Sequence, residues 1–250
     1  MLFRILSEII DEAEEIVDFV AKPALSALLN CDPIPTMAPQ LKQLNPPNSE
    51  YKFYEKKFND GWLHPEKEAE VQAIYLATKD DLVRSYRGRR FTAAMKAHGD
   101  REFRTRFHGT QRACHIGDHN GNLTLCRKDE CHVCGILRHS FKVEKSTTGS
   151  MFRRGIYSTT ASSKADIYAK NYHLHSHKHV MIICRVIANR PQLLGSADHE
   201  RRGPDGGFNY VEAVPQSYGG DVKYPETIVY RDDDIIPVGL IIYTRNGWEA

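Results

Sequence analysis

Three runs late in the chain limit its fold more than anything else in it. His179-Val180-Met181-Ile182-Ile183-Cys184-Arg185-Val186-Ile187, Thr227-Ile228-Val229-Tyr230 and Pro237-Val238-Gly239-Leu240-Ile241-Ile242-Tyr243 are dense in β-branched and aromatic residues, the side chains that suit a pleated, packed surface. No helical pattern alternates regularly with them, so an α+β domain is expected rather than a doubly wound sheet. No Gly-x-Gly-x-x-Gly follows a strand and no Gly-x-x-x-x-Gly-Lys-Ser/Thr occurs, so the two commonest nucleotide cradles are absent. A length of 250 residues suits one domain with some extra sequence.

Upstream, Leu2, Ile5, Leu6, Ile9, Ile10, Ala13, Ile16, Val17 and Val20 fall at three-and-four spacing, which predicts an amphipathic helix over residues 1–30. Its polar face is acidic, which favours docking on the domain or self-association over a membrane surface. Pro33, Pro35, Pro39, Pro46 and Pro47 make residues 31–50 a linker, because proline lacks the N–H that regular structure uses. The rest, residues 51–250, forms the main domain. Val71, Ile74, Tyr75, Leu82 and Val83 read as helix over Glu66 to Arg84. The glycine- and charge-rich stretch Gly195 to Gly220 suits a mobile surface loop. No internal repeat is evident.

A formal charge of +2 is too small to make nucleic acid or an anionic membrane the default partner. The arginines do cluster locally, Arg84, Arg87, Arg89 and Arg90 in one group and Arg101, Arg104 and Arg106 in another. No run approaches the ~18 apolar residues of a transmembrane helix. Glu8, Asp11, Glu12, Glu14 and Glu15 interrupt the apolar positions that a secretory signal would need. An intracellular setting, nucleus or cytoplasm, is the expectation, and four of the six cysteines lie at spacings better suited to a metal than to disulfides.

Three segments carry the chemistry. They are Arg106-Phe107-His108-Gly109-Thr110, then Gly155-Ile156-Tyr157-Ser158-Thr159-Thr160-Ala161-Ser162-Ser163-Lys164-Ala165-Asp166-Ile167-Tyr168, then Pro225-Glu226-Thr227-Ile228-Val229-Tyr230. In this order they resemble the catalytic domain of the PARP family of ADP-ribosyltransferases. That family has a His-Gly-Thr/Ser at a strand end, a Gly-Ile/Val-Tyr before a Ser-Ser-Lys-like segment with a second tyrosine, and a glutamate ahead of an Ile-Val-Tyr-like strand. The match looks closest to the fungal PARP-like proteins, and it covers roughly residues 51–245. It implies an ADP-ribosyltransferase fold with split antiparallel sheets, NAD+ as substrate, and transfer of ADP-ribose to an acceptor, protein in the first instance.

The residue types suit that chemistry. Cleaving the nicotinamide–ribose bond develops positive charge on the sugar, which a nearby carboxylate stabilises. The resemblance gives that role to Glu226, which would also polarise the acceptor as a general base. It places His108 on the adenine-side ribose and the rings of Tyr157 and Tyr168 about the nicotinamide, whose positive ring favours a π face by about 0.5–2 kcal/mol. It puts the carboxamide on the backbone of Gly109, where no Cβ blocks approach. Glu226, His108 and Tyr157 are thus the expected catalytic set. Where many relatives have a second serine after Ser-Lys, this chain has Ala165. One carboxamide contact is then missing or supplied by Ser162 or Ser163, and a lost neutral hydrogen bond costs about 0.5–1.5 kcal/mol, up to roughly tenfold in affinity.

Between the first two motifs lie Cys114, Cys126, Cys131 and Cys134, which the resemblance places in an insertion at about residues 114–139. The Cys131-x-x-Cys134 pair can present two thiolates to one tetrahedral zinc, and the other two would close a structural site with no open position. Four buried free thiols are the alternative, since the spacing matches no standard finger. His173, His175, His177 and His179 alternate like a metal tract or like a solvated strand entry. Two rival functions stay open: a non-catalytic module that binds NAD or ADP-ribose, and a zinc-stabilised nucleic-acid-binding protein using the arginine clusters.

Overall fold

The computed structural model describes residues 39–99, 103–119 and 121–246. The helix expected at 1–30, the first part of the Pro-rich stretch and Arg101 lie outside the described residues. In chain order the elements are β1 (Leu41–Gln43), α1 (Ser49–Asp60), β2 (Ala69–Ala77), α2 (Lys79–Arg84), α3 (Tyr86–Ala97), β3 (Arg104–Gly109), α4 (His132–His139), β4 (Ile156–Ser158), α5 (Ser162–Asp166), β5 (Lys178–Val186), β6 (Pro191–Leu194), β7 (Tyr210–Ala213), β8 (Glu226–Val229) and β9 (Ile235–Arg245). The class is α+β, with two sheets that are mainly antiparallel. One has the order β1-β2-β9-β5-β3 and the other β4-β8-β7-β6. One pairing is parallel, that of β6 with β7.

The apolar runs of β5 and β9 form the middle of the larger sheet and are covered on both faces. Side chains alternate across a strand, so Met181, Ile183, Ile241 and Tyr243 face one layer with Tyr54 and Phe58 of α1 and Phe91 of α3. Ile182, Leu240 and Ile242 face the other layer with Val133 and Leu137 of α4 and with Phe141. Each such side chain contributes about 1.5–3 kcal/mol by leaving water. The cysteine-bearing segment therefore covers one face of the main sheet. It is part of the core and not an appendage.

Local chemistry sets the helix ends. The Asn48 side chain accepts from the Glu50 N–H at 2.7 Å and starts α1 directly after Pro46-Pro47, satisfying a donor that the first turn leaves orphaned. At its other end, a Cβ on Gly61 would lie 2.5 Å from the Thr160 carbonyl oxygen and 2.8 Å from the Ser162 nitrogen. Glycine there lets α1 abut the start of α5.

Three expectations are corrected. The helix read over Glu66 to Arg84 is a strand followed by a short helix. Ala73-Ile74-Tyr75-Leu76-Ala77 is buried on both faces beside β9, and the demand for cover on a central strand outweighs a weak helical spacing. Within the stretch read as a linker, Leu41–Gln43 pairs with β2. Proline excludes a strand only where its missing N–H is needed, and this short edge strand sits between Pro39 and Pro46. The Gly195 to Gly220 stretch contains β7, which pairs with both β6 and β8. Among the described residues no helix is long and apolar enough to cross a membrane.

Candidate functional site

Among the described residues the two sheets meet at one backbone bridge. Phe107 donates its N–H to the Thr159 carbonyl at 2.8 Å, and the Thr159 N–H returns to the Phe107 carbonyl at 3.0 Å. Backbone groups alternate sides along a strand. Gly109 therefore aims its N–H and C=O the same way as Phe107, off the β5 ladder and towards the β4 side, past the bridge. In the second sheet Tyr157 pairs with Ile228 and Ser158 with Thr227. Glu226, two residues before Ile228, thus shares a face with Tyr157.

These strand ends and α5 enclose a cavity of about 430 Å³, within the range of small-ligand sites. His108 and Gly109 line it from β3, Tyr157 from β4, Lys164, Ala165 and Tyr168 from α5 and the turn after it, and Glu226 from β8. The segment running from Thr147 to Met151 supplies the remaining wall. A Cβ on Gly109 would collide with the Ala165 carbonyl oxygen and lie 3.1 Å from the Ala169 nitrogen. Glycine at this point lets β3 and α5 close on each other, so it shapes the cavity floor as well as leaving its backbone free.

Glu226 is 6% exposed, and a buried carboxylate needs a partner. Lys164 provides it, with Nζ 2.5 Å from Oε1. Burial works against the Lys164 ammonium, but the hydrogen bond and charge of Glu226 outweigh it and leave the lysine pKa raised. The same ammonium sits 5.4 Å from the centre of the Tyr168 ring, which is half exposed. Glu226 is therefore oriented through one oxygen from inside the protein, with Tyr168 at its flank.

Tyr157 is fixed at its far end. Its hydroxyl donates to the Arg153 carbonyl and accepts from the Phe152 N–H, both at 3.0 Å. Burial, with the Glu226 charge adding, pushes the phenol up to about 12. The phenol is thus neutral at ordinary pH and occupied, and what it offers the cavity is a ring.

His108 places Nδ1 2.8 Å from the Tyr157 carbonyl. A carbonyl only accepts, so Nδ1 carries the proton. Burial pushes the imidazole below its usual range, so the ring is neutral near pH 7 and Nε2 is left as an acceptor. Phe141 meets the ring edge-on at 5.0 Å.

Ser162 and Ser163 do not line the cavity. Both are fully buried. Ser162 donates to the Phe58 carbonyl at 2.6 Å, and Ser163 donates to Gly61 and accepts from the Leu63 N–H. They tie α5 to the end of α1, so neither supplies the contact that Ala165 lacks. Sequence reasoning missed Lys164 as the partner of Glu226, Phe141 as the support of His108, and the Thr147 to Met151 wall. Lys164 stood inside a recognised motif, but nothing in its spacing signalled a reach to a residue on β8.

The four cysteine sulfurs lie within 4.8 Å of one another, with Cys114 3.6 Å from both Cys131 and Cys134. Four sulfurs about 2.3 Å from one tetrahedral ion would lie roughly 3.8 Å apart. The cluster thus has the ligand type, number and size for a single metal ion. Among the described residues it is the one grouping of His, Cys, Asp or Glu side chains that does; the alternating histidines do not converge.

Three of the clustered arginines make contacts within the domain. Arg87 donates to the Leu137 carbonyl at 2.7 Å, Arg90 pairs with Asp233 at 2.7 Å, and Arg106 bonds Thr227 at 2.8 Å. Neither a family model nor a curated protein matches the chain.

Proposed function

We propose that the protein binds NAD+ as a substrate, cleaves its nicotinamide–ribose bond and transfers ADP-ribose to an acceptor, on an ADP-ribosyltransferase fold. The observation that carries this reading is the convergence, in one cavity, of a buried carboxylate, two tyrosine rings and a free strand-end backbone. Glu226, Tyr157, Tyr168, His108 and Gly109 come from four separate elements to line it.

Each group has a task in that reaction. The tyrosine rings accept the flat, positive nicotinamide, and the Gly109 N–H and C=O match the oxygen and amino group of its carboxamide. Nε2 of neutral His108 accepts from a ribose hydroxyl. When the bond from the ribose carbon to the pyridinium nitrogen breaks, its electron pair leaves on nicotinamide and the ribose becomes cationic. Glu226 stabilises that charge. The acceptor then attacks the same carbon and gives up a proton, for which Glu226 is the nearby base. Lys164, paired with it at 2.5 Å, keeps the carboxylate aimed. The ion taken by the four cysteines is, on this reading, a structural zinc.

A second reading, an NAD- or ADP-ribose-binding module without turnover, draws on a specific observation. With Ala165 in place and Ser162 and Ser163 turned away, the carboxamide has only the Gly109 backbone. Incubation with NAD+ separates the two. Free nicotinamide together with a covalent ADP-ribose adduct on an acceptor supports transfer, whereas saturable binding with no nicotinamide released supports the module.

A further inference from the structure

We propose that Cys114, Cys126, Cys131 and Cys134 hold one Zn2+, and that this ion positions the His108 wall of the cavity through α4 and Phe141. The ADP-ribose arm of the test below rests on the proposed function; the metal and the ring position do not.

The cluster stands at a junction. Cys114 lies five residues past Gly109, where the chain has just left the cavity, and Cys131 and Cys134 lie at the start of α4. From Ala113 to Glu130 the described residues form no helix or strand, so little regular backbone bonding holds the loop. Side chains tether it instead: Arg112 donates to the Ile116 carbonyl at 2.9 Å and pairs with Asp118 at 2.6 Å, Lys178 donates to the Asp118 carbonyl at 2.8 Å, Lys128 to the Ala113 carbonyl at 3.1 Å and Arg138 to the Cys126 carbonyl, while the Val133 N–H meets the Gln111 carbonyl at 3.1 Å. An irregular segment that brings four thiols together without a regular backbone ladder is a setting in which a bound ion contributes folding free energy directly.

α4 carries that fixed point to the site. The helix runs from the Cys131 turn to Ser140, which ends it at a φ of 64°, and the next residue, Phe141, meets His108. The imidazole is thus held between the Tyr157 carbonyl on one side and Phe141 on the other. Only the second support depends on the cysteines. Four thiolates fill a tetrahedral ion, so the metal takes no part in bond making; its influence reaches the cavity as geometry. On binding, each coordinating thiol releases its proton to solvent.

The test uses the full chain under reducing conditions. Elemental analysis should find one zinc per chain, and Co2+ in its place should give the charge-transfer and d–d bands of tetrahedral four-thiolate cobalt. Cys126→Ser should lose the ion. In the metal-free chain and in Phe141→Ala, the ring 15N signals of His108 should shift and ADP-ribose affinity should fall about tenfold, the scale seen when a group supporting a ligand is removed. Phe141→Ala should keep its zinc, and Phe141→Tyr should restore affinity. A chain that takes up neither zinc nor cobalt overturns the metal site. A folded, metal-free chain with unchanged His108 signals overturns the positioning role. If Cys126→Ser does not fold, Phe141→Ala decides the same point with the ion still bound. If no form binds ADP-ribose, the function is wrong, but the metal content still decides the zinc site and the His108 signals still decide the positioning role.

Discussion

Replacing Lys164 by Met keeps the length of the side chain and removes its charge, leaving Glu226 without a counterion. The Lys164 side chain is 21% exposed and that of Glu226 8%, so the pair is partly shielded from water. Breaking a fully buried pair costs about 3–5 kcal/mol and an exposed one about 0–1, which places Lys164→Met at about 1–3 kcal/mol. For a chain of this size each kcal/mol moves the melting midpoint by about 2–4 °C, so calorimetry at pH 7 should find it roughly 2–12 °C lower. The pH dependence has a definite sign. The folded-state pKa of Lys164 is raised, so its contribution is complete below the unfolded value near 10.5 and disappears as pH rises through the folded value. The gap between wild type and Lys164→Met should therefore be constant across neutral pH and close in alkali. Nicotinamide release should fall on the order of tenfold to hundredfold with NAD+ binding largely kept, because the carboxylate would be present but no longer aimed. Equal melting midpoints at pH 7, or unimpaired turnover, would refute the role given to Lys164.

Tyr157→Phe leaves the ring but strands the Phe152 N–H and the Arg153 carbonyl, so urea denaturation should find a loss of about 1–3 kcal/mol with nicotinamide affinity nearly unchanged; Tyr157→Ala should lose both. Ser163→Ala leaves the Leu63 N–H without its partner, while the Gly61 carbonyl keeps the Ser163 backbone N–H at 3.2 Å, so it should destabilise by about 1–3 kcal/mol while NAD+ affinity stays put; a selective loss of affinity would return Ser163 to the cavity. Burial, with the Arg245 charge adding, pushes His179 down to about 4, whereas an unfolded histidine titrates near 6.5. Between those values the unfolded chain binds more protons, so melting midpoints should fall as pH drops from about 6.5 to 4. His179→Gln should flatten that decline, and a parallel profile would remove His179 as its source.

The strands legible in the sequence are those with enough apolar density to fill both faces of a central position. β5, β8 and β9 fall where Ile182-Ile183, Ile228-Val229 and Ile241-Ile242 put them. β2 reads as helix because Val71, Ile74 and Tyr75 also fit a helical spacing, and only the neighbouring β9 decides between the two. β1 and β7 have too few apolar residues to be seen without their partners. At the site, motif order singles out His108, Gly109, Tyr157, Tyr168 and Glu226, and the cavity gathers all five. Ser162 and Ser163 carry the right chemistry but the wrong orientation, set by their bonds to Phe58 and Gly61. Phe141 and the Thr147 to Met151 wall belong to no motif, and the fold alone brings them in. The cysteines are readable as a group, yet their convergence depends on the Cys131–Cys134 turn folding back against Gln111.

The proposed chemistry turns on the Glu226 carboxylate, and the direct measurement is nicotinamide released from NAD+ by wild type and by Glu226→Gln, with folding checked by circular dichroism. Glutamine keeps the shape and removes the charge that would stabilise a cationic ribose, so release should fall at least a hundredfold, equivalent to about 2.7 kcal/mol of transition-state stabilisation. NAD+ binding should persist. Release by the folded variant at the wild-type rate, or none from wild type, would contradict it.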